Sequence, residues 1–313
     1  MGSGKSGSHP WPASRGHPKI KPYTDEDSMA VPPLIASYYT LAGVRPFEGP
    51  LGPSPRDLRS RIEAAARAGY SGIGVDWLDL RASVGRYGHK TIKSMLSDNG
   101  LDYFEIEGVG DWYAGGAARQ ASDEAKRDIF DAAQRIGVSQ IKLTGNIVGR
   151  SVSTKVMREE FSRFCLESAE VGTAVVLEMV CISDIADLKT AIDVIGETAA
   201  ANGGLLVDIW HFIRGGVPIT ELAALPAGLI RWVELDDGAA FPVGSIISEQ
   251  LDDRRLCGEG AFDIPAFLAA VDSAGYRGAF GVEILSNELR AMSLEEGARR
   301  SYQQAALQFV SGS

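Results

Sequence analysis

The stretch "LLVDIWHFIRGG", residues 205–216, decides how the chain is read. An apolar run of strand length stops abruptly at Asp208. His211, Arg214 and a Gly pair follow within eight residues. A short aliphatic run bounded by a polar break and glycines reads as a buried strand. The same grammar lies on both sides. "TAVVLEMV" (173–180) breaks at Glu178, "IRWVELDD" (230–237) at Glu234, and "RGAFGVEILS" (277–286) at Glu283.

Working outward, strands alternate with amphipathic segments. "LIASYYT", "YSGIGVD", "LDYFEIEG", "SQIKLTG" and "GLLVDIW" complete the set of eight strands. The helical segments between them include "SPRDLRSRIEAAARAG", "KTIKSMLSDNG", "SDEAKRDIFDAAQRIG" and "TKVMREEFSRFCLESAEVG". "DIADLKTAIDVIGETAAANG", the short "PITELAALP", "DIPAFLAAVDSAG" and "LEEGARRSYQQAALQFV" follow. Ser54 and Pro55 are expected to cap the first of these as N-cap and N1. Asn99–Gly100 closes the second. Eight strand–helix units over about 280 residues predict an α/β fold, a single closed (β/α)8 barrel, because each parallel crossover needs a helix. An open doubly wound sheet would carry a Gly-rich phosphate loop after its first strand. "YYTLAGVRPFEG" lacks that G-x-G-x-x-G pattern.

Residues 1–30 differ from the rest, with many Gly, Ser, Pro and Lys and few aliphatics. They read as a disordered tail or an expression remnant, with Met29 as a candidate native start, and the barrel as 31–313. No apolar core of a signal peptide is seen in that tail. His9 and His17 fall in it, which leaves His89 and His211 as candidate functional histidines. The chain has 313 residues, 45% hydrophobic and 23% charged, with net charge −10. That acidity argues against nucleic acid as a partner. No apolar run reaches bilayer length, so no membrane is expected. Three scattered cysteines, Cys165, Cys181 and Cys257, suit reduced thiols in the cytoplasm.

In a (β/α)8 barrel the active site lies at the C-terminal strand ends. Those positions here hold Asp76, Glu105, Glu107, Lys142, Glu178, Asp208, Glu234, Asp236, Asp237 and Glu283, with His211 three residues past Asp208. Several carboxylates buried at one mouth need a neutralising cation. Hard oxygen ligands favour Mn²⁺ or Mg²⁺. Taken singly, Glu105, Asp236 and Asp237 read as solvated strand ends or helix caps. Glu178, Asp208 and Glu283 each end an apolar run, and that weighs for a shared ion.

"VVLEMV", "LLVDIWHFIRGG", "WVELDDG" and "RRLCGEGAFDIPAFLAAVDSAGYRGAFGVEILS" together resemble the sugar phosphate isomerase/epimerase family with a xylose-isomerase-like barrel. The resemblance runs from about Leu34 to Val310 and is strongest after Thr173. It implies one divalent metal ion, Mn²⁺, Mg²⁺, Co²⁺ or Zn²⁺, held by Glu178, Asp208 and Glu283, with His211 touching substrate. The chain departs at strand seven, where the family usually has His and Glu234 stands here. Glu234 is then expected as the fourth ligand, in a site favouring Mn²⁺, Mg²⁺ or Ca²⁺ over Zn²⁺.

Other groups have two readings each. Arg214, Arg254 and Arg255 either grip a substrate carboxylate or phosphate or are loop charges. Lys142 either stabilises an oxyanion or pairs with Glu107 or Glu178. Trp77, Trp112, Trp210 and Phe241 form an apolar wall or simply core, and His89 reads as a surface group. The expected function is isomerisation or epimerisation of a small sugar-like hydroxy-ketone or aldehyde by Glu178, Glu283 and His211. A lyase on the same scaffold and a metal-free binding barrel are the alternatives. A multi-zinc DNA-repair enzyme is excluded by the dearth of histidines. A homodimer or homotetramer is expected.

Overall fold

The computed structural model describes residues 31–46, 52–147, 152–196, 201–242 and 244–310. The tail at 1–30, with His9, His17 and Met29, lies outside them. Eight parallel strands close into a barrel in sequence order. They are β1 (Leu34–Ala36), β2 (Gly72–Asp76), β3 (Tyr103–Val109), β4 (Gln140–Thr144), β5 (Ala174–Glu178), β6 (Gly203–Asp208), β7 (Ile230–Leu235) and β8 (Phe280–Val282). β1 pairs with β8 in parallel, which closes the ring and leaves no sheet edge.

The helices are α1 (Tyr38–Ala42), α2 (Leu58–Ala68), α3 (Trp77–Tyr87), α4 (His89–Asp98), α5 (Gly116–Arg135), α6 (Thr154–Glu170) and α7 (Leu188–Ile195). They continue with α8 (Ile209–Arg214), α9 (Ile219–Ala223), α10 (Ile246–Asp252), α11 (Ile264–Ser273), α12 (Asn287–Ala291) and α13 (Leu294–Val310). The expected cap at Ser54 is not formed. Asp57 caps α2 by accepting from the Arg59 N–H, while the Ser54 hydroxyl donates to Ala42 O at 2.7 Å. α3 and α8 escape a reading by strand signals because Asp76 and Asp208 each end a strand and cap the following helix at once. Asp76 accepts from Leu78 N and Asp208 from His211 N.

Strand alternation sorts the barrel interior into layers. Ile35, Val176, Leu206, Trp232 and Ala279 form a small apolar cluster of their own. Two residues further along the same strands come Ser37, Glu178, Asp208, Glu234 and Gly281. The outward-facing alternates, such as Ile106, Ile141, Leu177 and Val233, join the large core beneath the helices. Two glycines clear space for the carboxylates. A Cβ on Gly281 would lie 2.9 Å from Glu234 Oε1, and one on Gly74 would lie 3.0 Å from Glu107 Oε1 and 3.1 Å from Glu105 Oε1.

Candidate metal centre and active site

The strand ends gather seven buried acids: Glu105, Glu107, Glu178, Asp208, Glu234, Asp236 and Glu283. Two fully buried cations sit among them, Lys142 and Arg254. One ligand atom from each of Glu178, Asp208, Glu234 and Glu283 lies within 4.8 Å of the others. The sheet register explains part of this, since Asp208 is paired directly with Glu234 across β6 and β7. Glu105, Glu107 and Glu234 form a second such group.

Lys142 fills the second group. Its Nζ lies 3.0 Å from Glu105 Oε1 and 2.7 Å from Glu107 Oε1, and it also binds Glu234 Oε1. Ser37 Oγ lies 2.8 Å from Glu234 Oε1 and 3.1 Å from Glu105 Oε1, with one hydroxyl proton to share between them. Tyr38 N donates to Glu107 at 3.0 Å. Of the two readings open for Lys142, the geometry forms the ion pair, with Glu105 and Glu234 beside the expected Glu107. Glu178 is not among its partners. Lys142 is fully buried, and its ammonium is taken up by these carboxylates.

Arg254 serves the other side. Its Nη1 lies 2.8 Å from Asp208 Oδ2, 2.6 Å from Asp236 Oδ2 and 3.3 Å from Glu283 Oε2. Its Nη2 is 3.3 Å from His211 Nε2, and the guanidinium stacks 5.1 Å from the Trp210 ring centroid. A guanidinium only donates, so His211 Nε2 accepts. The imidazole proton is then on Nδ1, 3.5 Å from Cys181 Sγ. Burial, with Arg254 adding to it, lowers the His211 pKa to about 3, so the ring is neutral. At 1% exposure His211 meets Arg254 and Cys181, with Glu178 Oε1 at 3.7 Å. In this arrangement the ring props up Arg254 and lies beside Glu178.

The carboxyls are electrostatically split. Burial first, then Glu234 and Asp208, raises Glu178 well above the carboxylate range. Burial, then Glu234 and Glu107, does the same to Glu283. Burial is the largest influence on Asp208 and raises it, but Arg254 and His211 together outweigh burial and the net direction is down. Glu234 is pushed up to about 6 and Glu107 to about 7, burial leading in each case, against the pull of Lys142.

These residues fit a hard divalent ion. Glu234 Oε2 is buried with no hydrogen-bond partner. The donor set is all oxygen, and seven acids face two fixed cations. Removing such charges from water without further compensation is costly.

The remaining expected site residues lie elsewhere. Arg214 binds Glu249, donates to Ala239 O at 2.6 Å, and stacks 5.0 Å from the Phe262 ring. Arg255 is exposed and donates to Glu259 O at 3.4 Å. Neither joins the carboxylate cluster. Phe241 is 81% exposed, whereas Trp112 and Trp210 are buried. Trp77 donates to Asp128 at 3.1 Å, so the four aromatics do not form one wall. His89 pairs with Asp131 at 3.1 Å.

Glu105, Asp236 and Asp237, read singly as solvated strand ends or caps, are buried, and Tyr39 was not singled out by the sequence. Asp236 is fully buried as a partner of Arg254. Asp237 accepts four backbone N–H bonds, from Gly238, Gly258, Gly260 and Phe262, at 2.7–3.0 Å. Its backbone also pairs with that of Arg255. The spacing of "GEG" was the available signal: a Cβ on Gly260 would fall 2.1 Å from Asp237 Oδ1. Tyr39 follows β1 on α1. Burial and the charges of Asp76, Glu107 and Glu283 raise its phenol well above its usual range.

The sequence matches the family model described as "Xylose isomerase-like TIM barrel" over residues 62–306. The chain belongs to this family. Among curated relatives it is 24% identical to a 3-dehydroshikimate dehydratase of Pseudomonas aeruginosa, over 75% of the chain and 37% of that protein. It is 29% identical to an inosose isomerase of Halalkalibacterium halodurans, over 46% of the chain and 54% of that protein. The chain thus spans between a third and about half of these two relatives. A solved structure described as IOLI protein with a binding zinc atom superposes with TM-score 0.71 at 16% identity, covering 89% of this chain and 98% of that one. That likeness supports the barrel. Among the described residues, no helix is long and apolar enough to cross a membrane.

Proposed function

We propose that this xylose isomerase-like barrel is a divalent-metal-dependent isomerase or epimerase of a small, sugar-like hydroxy-ketone or aldehyde. One observation carries the reading: Glu178 and Glu283, on β5 and just past β8, share one cluster with Asp208 and Glu234, and both carboxyls are shifted strongly upward. Glu178, Asp208, Glu234 and Glu283 would hold the ion. Mn²⁺ or Mg²⁺ suits this all-oxygen set, and the zinc of the IOLI structure keeps Zn²⁺ among the candidates. When bound, a divalent ion supplies Lewis acidity that acidifies the C–H beside a carbonyl.

The protein residues do the proton work. One glutamate, ionised, takes the proton from the carbon next to the carbonyl. The electron pair moves to the carbonyl oxygen, and the other glutamate, protonated, returns a proton to carbon. Such an exchange needs one of the two carboxyls ionised while the other is protonated. Arg254 holds Asp208 ionised and in place, and His211 fixes Arg254.

A dehydratase is the second reading, favoured by the P. aeruginosa relative, whose match covers more of this chain than the inosose isomerase match does. It needs a donor for the departing hydroxyl. Lys142 is spoken for and Arg255 faces outward, which leaves His211 and the Tyr39 phenol as candidates.

Metal analysis of the purified protein, then incubation with ketoses and cyclic ketones in D₂O, tests both. The isomerase reading expects deuterium uptake with conserved mass. Glu178→Gln should lower exchange and product together by about 10²–10⁴-fold. Loss of water to an unsaturated product would decide for the dehydratase. No bound metal and no exchange would sink both.

A further inference from the structure

The strand ends carry a charge imbalance that a metal ion does not remove. Seven buried acids surround two buried cations. One divalent ion held by Glu178, Asp208, Glu234 and Glu283 leaves the surplus negative, even with one of the glutamates protonated. Asp76, half-buried at the end of β2, brings a further carboxyl to the same end of the barrel. The cations nearby are committed to oxygens of this chain. Lys142 is taken up by Glu105, Glu107 and Glu234, and Arg254 by Asp208, Asp236 and Glu283. Arg254 Nε has no partner, yet the single charge of the guanidinium is already outnumbered by those three carboxylates. Arg214 pairs with Glu249, and the exposed Arg255 donates to Glu259 O at 3.4 Å. Tyr39, half-buried on the first turn of α1, stays a neutral phenol, its ionisation opposed by burial and then by Asp76, Glu107 and Glu283. The mouth therefore offers a substrate hydrogen-bond acceptors, one phenol and negative charge.

A hydroxyl group donates to such oxygens. An ionised phosphate or carboxylate only accepts, so here it gives up water without gaining a donor and meets charge of its own sign. A cleft lined by one sign of charge concentrates ligands of the other sign and disfavours its own. We propose that the mouth selects an uncharged substrate: a free polyhydroxy ketone or aldehyde, open-chain or cyclic, that carries neither phosphate nor carboxylate. This rests on the metal-dependent reading for its chemistry and narrows the substrate of that same site. It runs against the phosphorylated substrate suggested by the resemblance of the sequence to sugar phosphate isomerases. The anion that Arg214, Arg254 and Arg255 were open to gripping is excluded, and it is excluded by charge rather than by shape. The same rule disfavours a dehydratase acting on a carboxylated ring.

The test is titration calorimetry on the full chain, dialysed against Mn²⁺, with ligands matched in shape and differing in charge. One pair is D-fructose and its terminal phosphate ester. The other is inosose and 3-dehydroshikimate, a cyclic ketone with a carboxylate. At least one uncharged member should bind, and its anionic partner at least about tenfold more weakly, as like-charge contact demands. Raising NaCl from about 50 mM to about 500 mM should narrow that gap by strengthening the anion alone, because salt screens charge and leaves shape untouched. An anionic member that binds as well as its uncharged partner overturns the proposal. Retained Mn²⁺ and deuterium uptake would then leave the metal-dependent reading standing. A gap that salt does not move means exclusion by shape and also overturns the proposal, as does failure of both uncharged ligands to bind. If the chain retains no Mn²⁺ by elemental analysis and the uncharged member still binds more tightly, with a salt-sensitive gap, the proposal stands and the metal-dependent reading falls.

Discussion

Lys142 and Arg254 are both fully buried cations facing three carboxylates, yet opposite means hold them in place. Lys142 rises from β4 between two strands in register, and its partners Glu105 and Glu107 sit on adjoining β3. The sheet alone delivers it. Arg254 comes from the segment after α10, outside the barrel strands, where isolated backbone bridges flank it, Asp253 with Ser286 and Arg255 with Asp237. Its place depends on tethers: the Asp237 carboxylate on the glycine-rich loop, the Trp210 ring beneath it, His211 beside it, and Asp252 two residues before it. One cation is part of the scaffold, and the other is inserted into it. The inserted one governs Asp208 and Glu283, two of the four acids proposed to hold the metal.

The comparison is tested most severely at Arg254 itself. Arg254→Met leaves Asp208 and Asp236 buried without their counterion. Breaking a buried pair from one side costs about 3–5 kcal/mol. A urea unfolding midpoint shifted accordingly, and partly restored in the double variant Arg254→Met/Asp236→Asn, is the expected outcome. Unchanged stability would mean that the carboxyls are already neutral and that Arg254 is not what balances them.

A smaller effect is expected at Asp237, which touches none of the proposed metal ligands. Asp237→Ala strips the acceptor from four backbone N–H groups around Gly258 and Gly260. Leaving buried donors unpaired costs on the order of 3 kcal/mol in all, with water relieving some of them. If Arg254 is an inserted cation, the same change should weaken Mn²⁺ binding, measured by titration calorimetry. If Mn²⁺ affinity is untouched while stability falls, the loop and the site are independent.

This contrast also explains what the sequence disclosed. All eight strands were legible, because aliphatic runs ending in acids carry a local signal. The clustering of Glu178, Asp208, Glu234 and Glu283, the acids proposed to hold the metal, was legible for the same reason, since each lies at or beside a strand end and alternation fixes its face. Lys142 was half legible: its strand position and the pairing with Glu107 were within reach, whereas Glu105 and Glu234 as partners were not. Arg254 and Arg255 could not be told apart, because in a loop neither periodicity nor register says which of two adjacent side chains turns inward. Asp236 and Asp237 looked like solvated strand ends. Their burial depends on a segment arriving from about twenty residues away, a tertiary event with no local trace. α8 was hidden by Asp208 serving as both strand end and helix cap.

The mildest test acts where α10 is anchored. Asp252 accepts from Arg45 at 2.7 and 2.6 Å and also pairs with Arg290, tying the segment that leads into Arg254 to two other parts of the chain. The hydrogen bond to Arg45 is the largest cause holding the Asp252 carboxyl below its usual value. A group with a depressed pKa stabilises the fold in its ionised form. The contribution is therefore complete above the unfolded-chain value of about 3.9 and is lost as pH falls through the folded one. Because this clamp lies near the surface, its worth is about 1 kcal/mol or less and falls with salt. The difference in unfolding midpoint between wild type and Asp252→Asn should be steady from pH 7 to about pH 5 and close below pH 4. Hydrogen exchange should show the loss first in residues 246–252, ahead of any change on β4. Simultaneous loosening of β4 and α10 would mean that Lys142 and Arg254 stand or fall together, and the distinction between a scaffold cation and an inserted one would not hold.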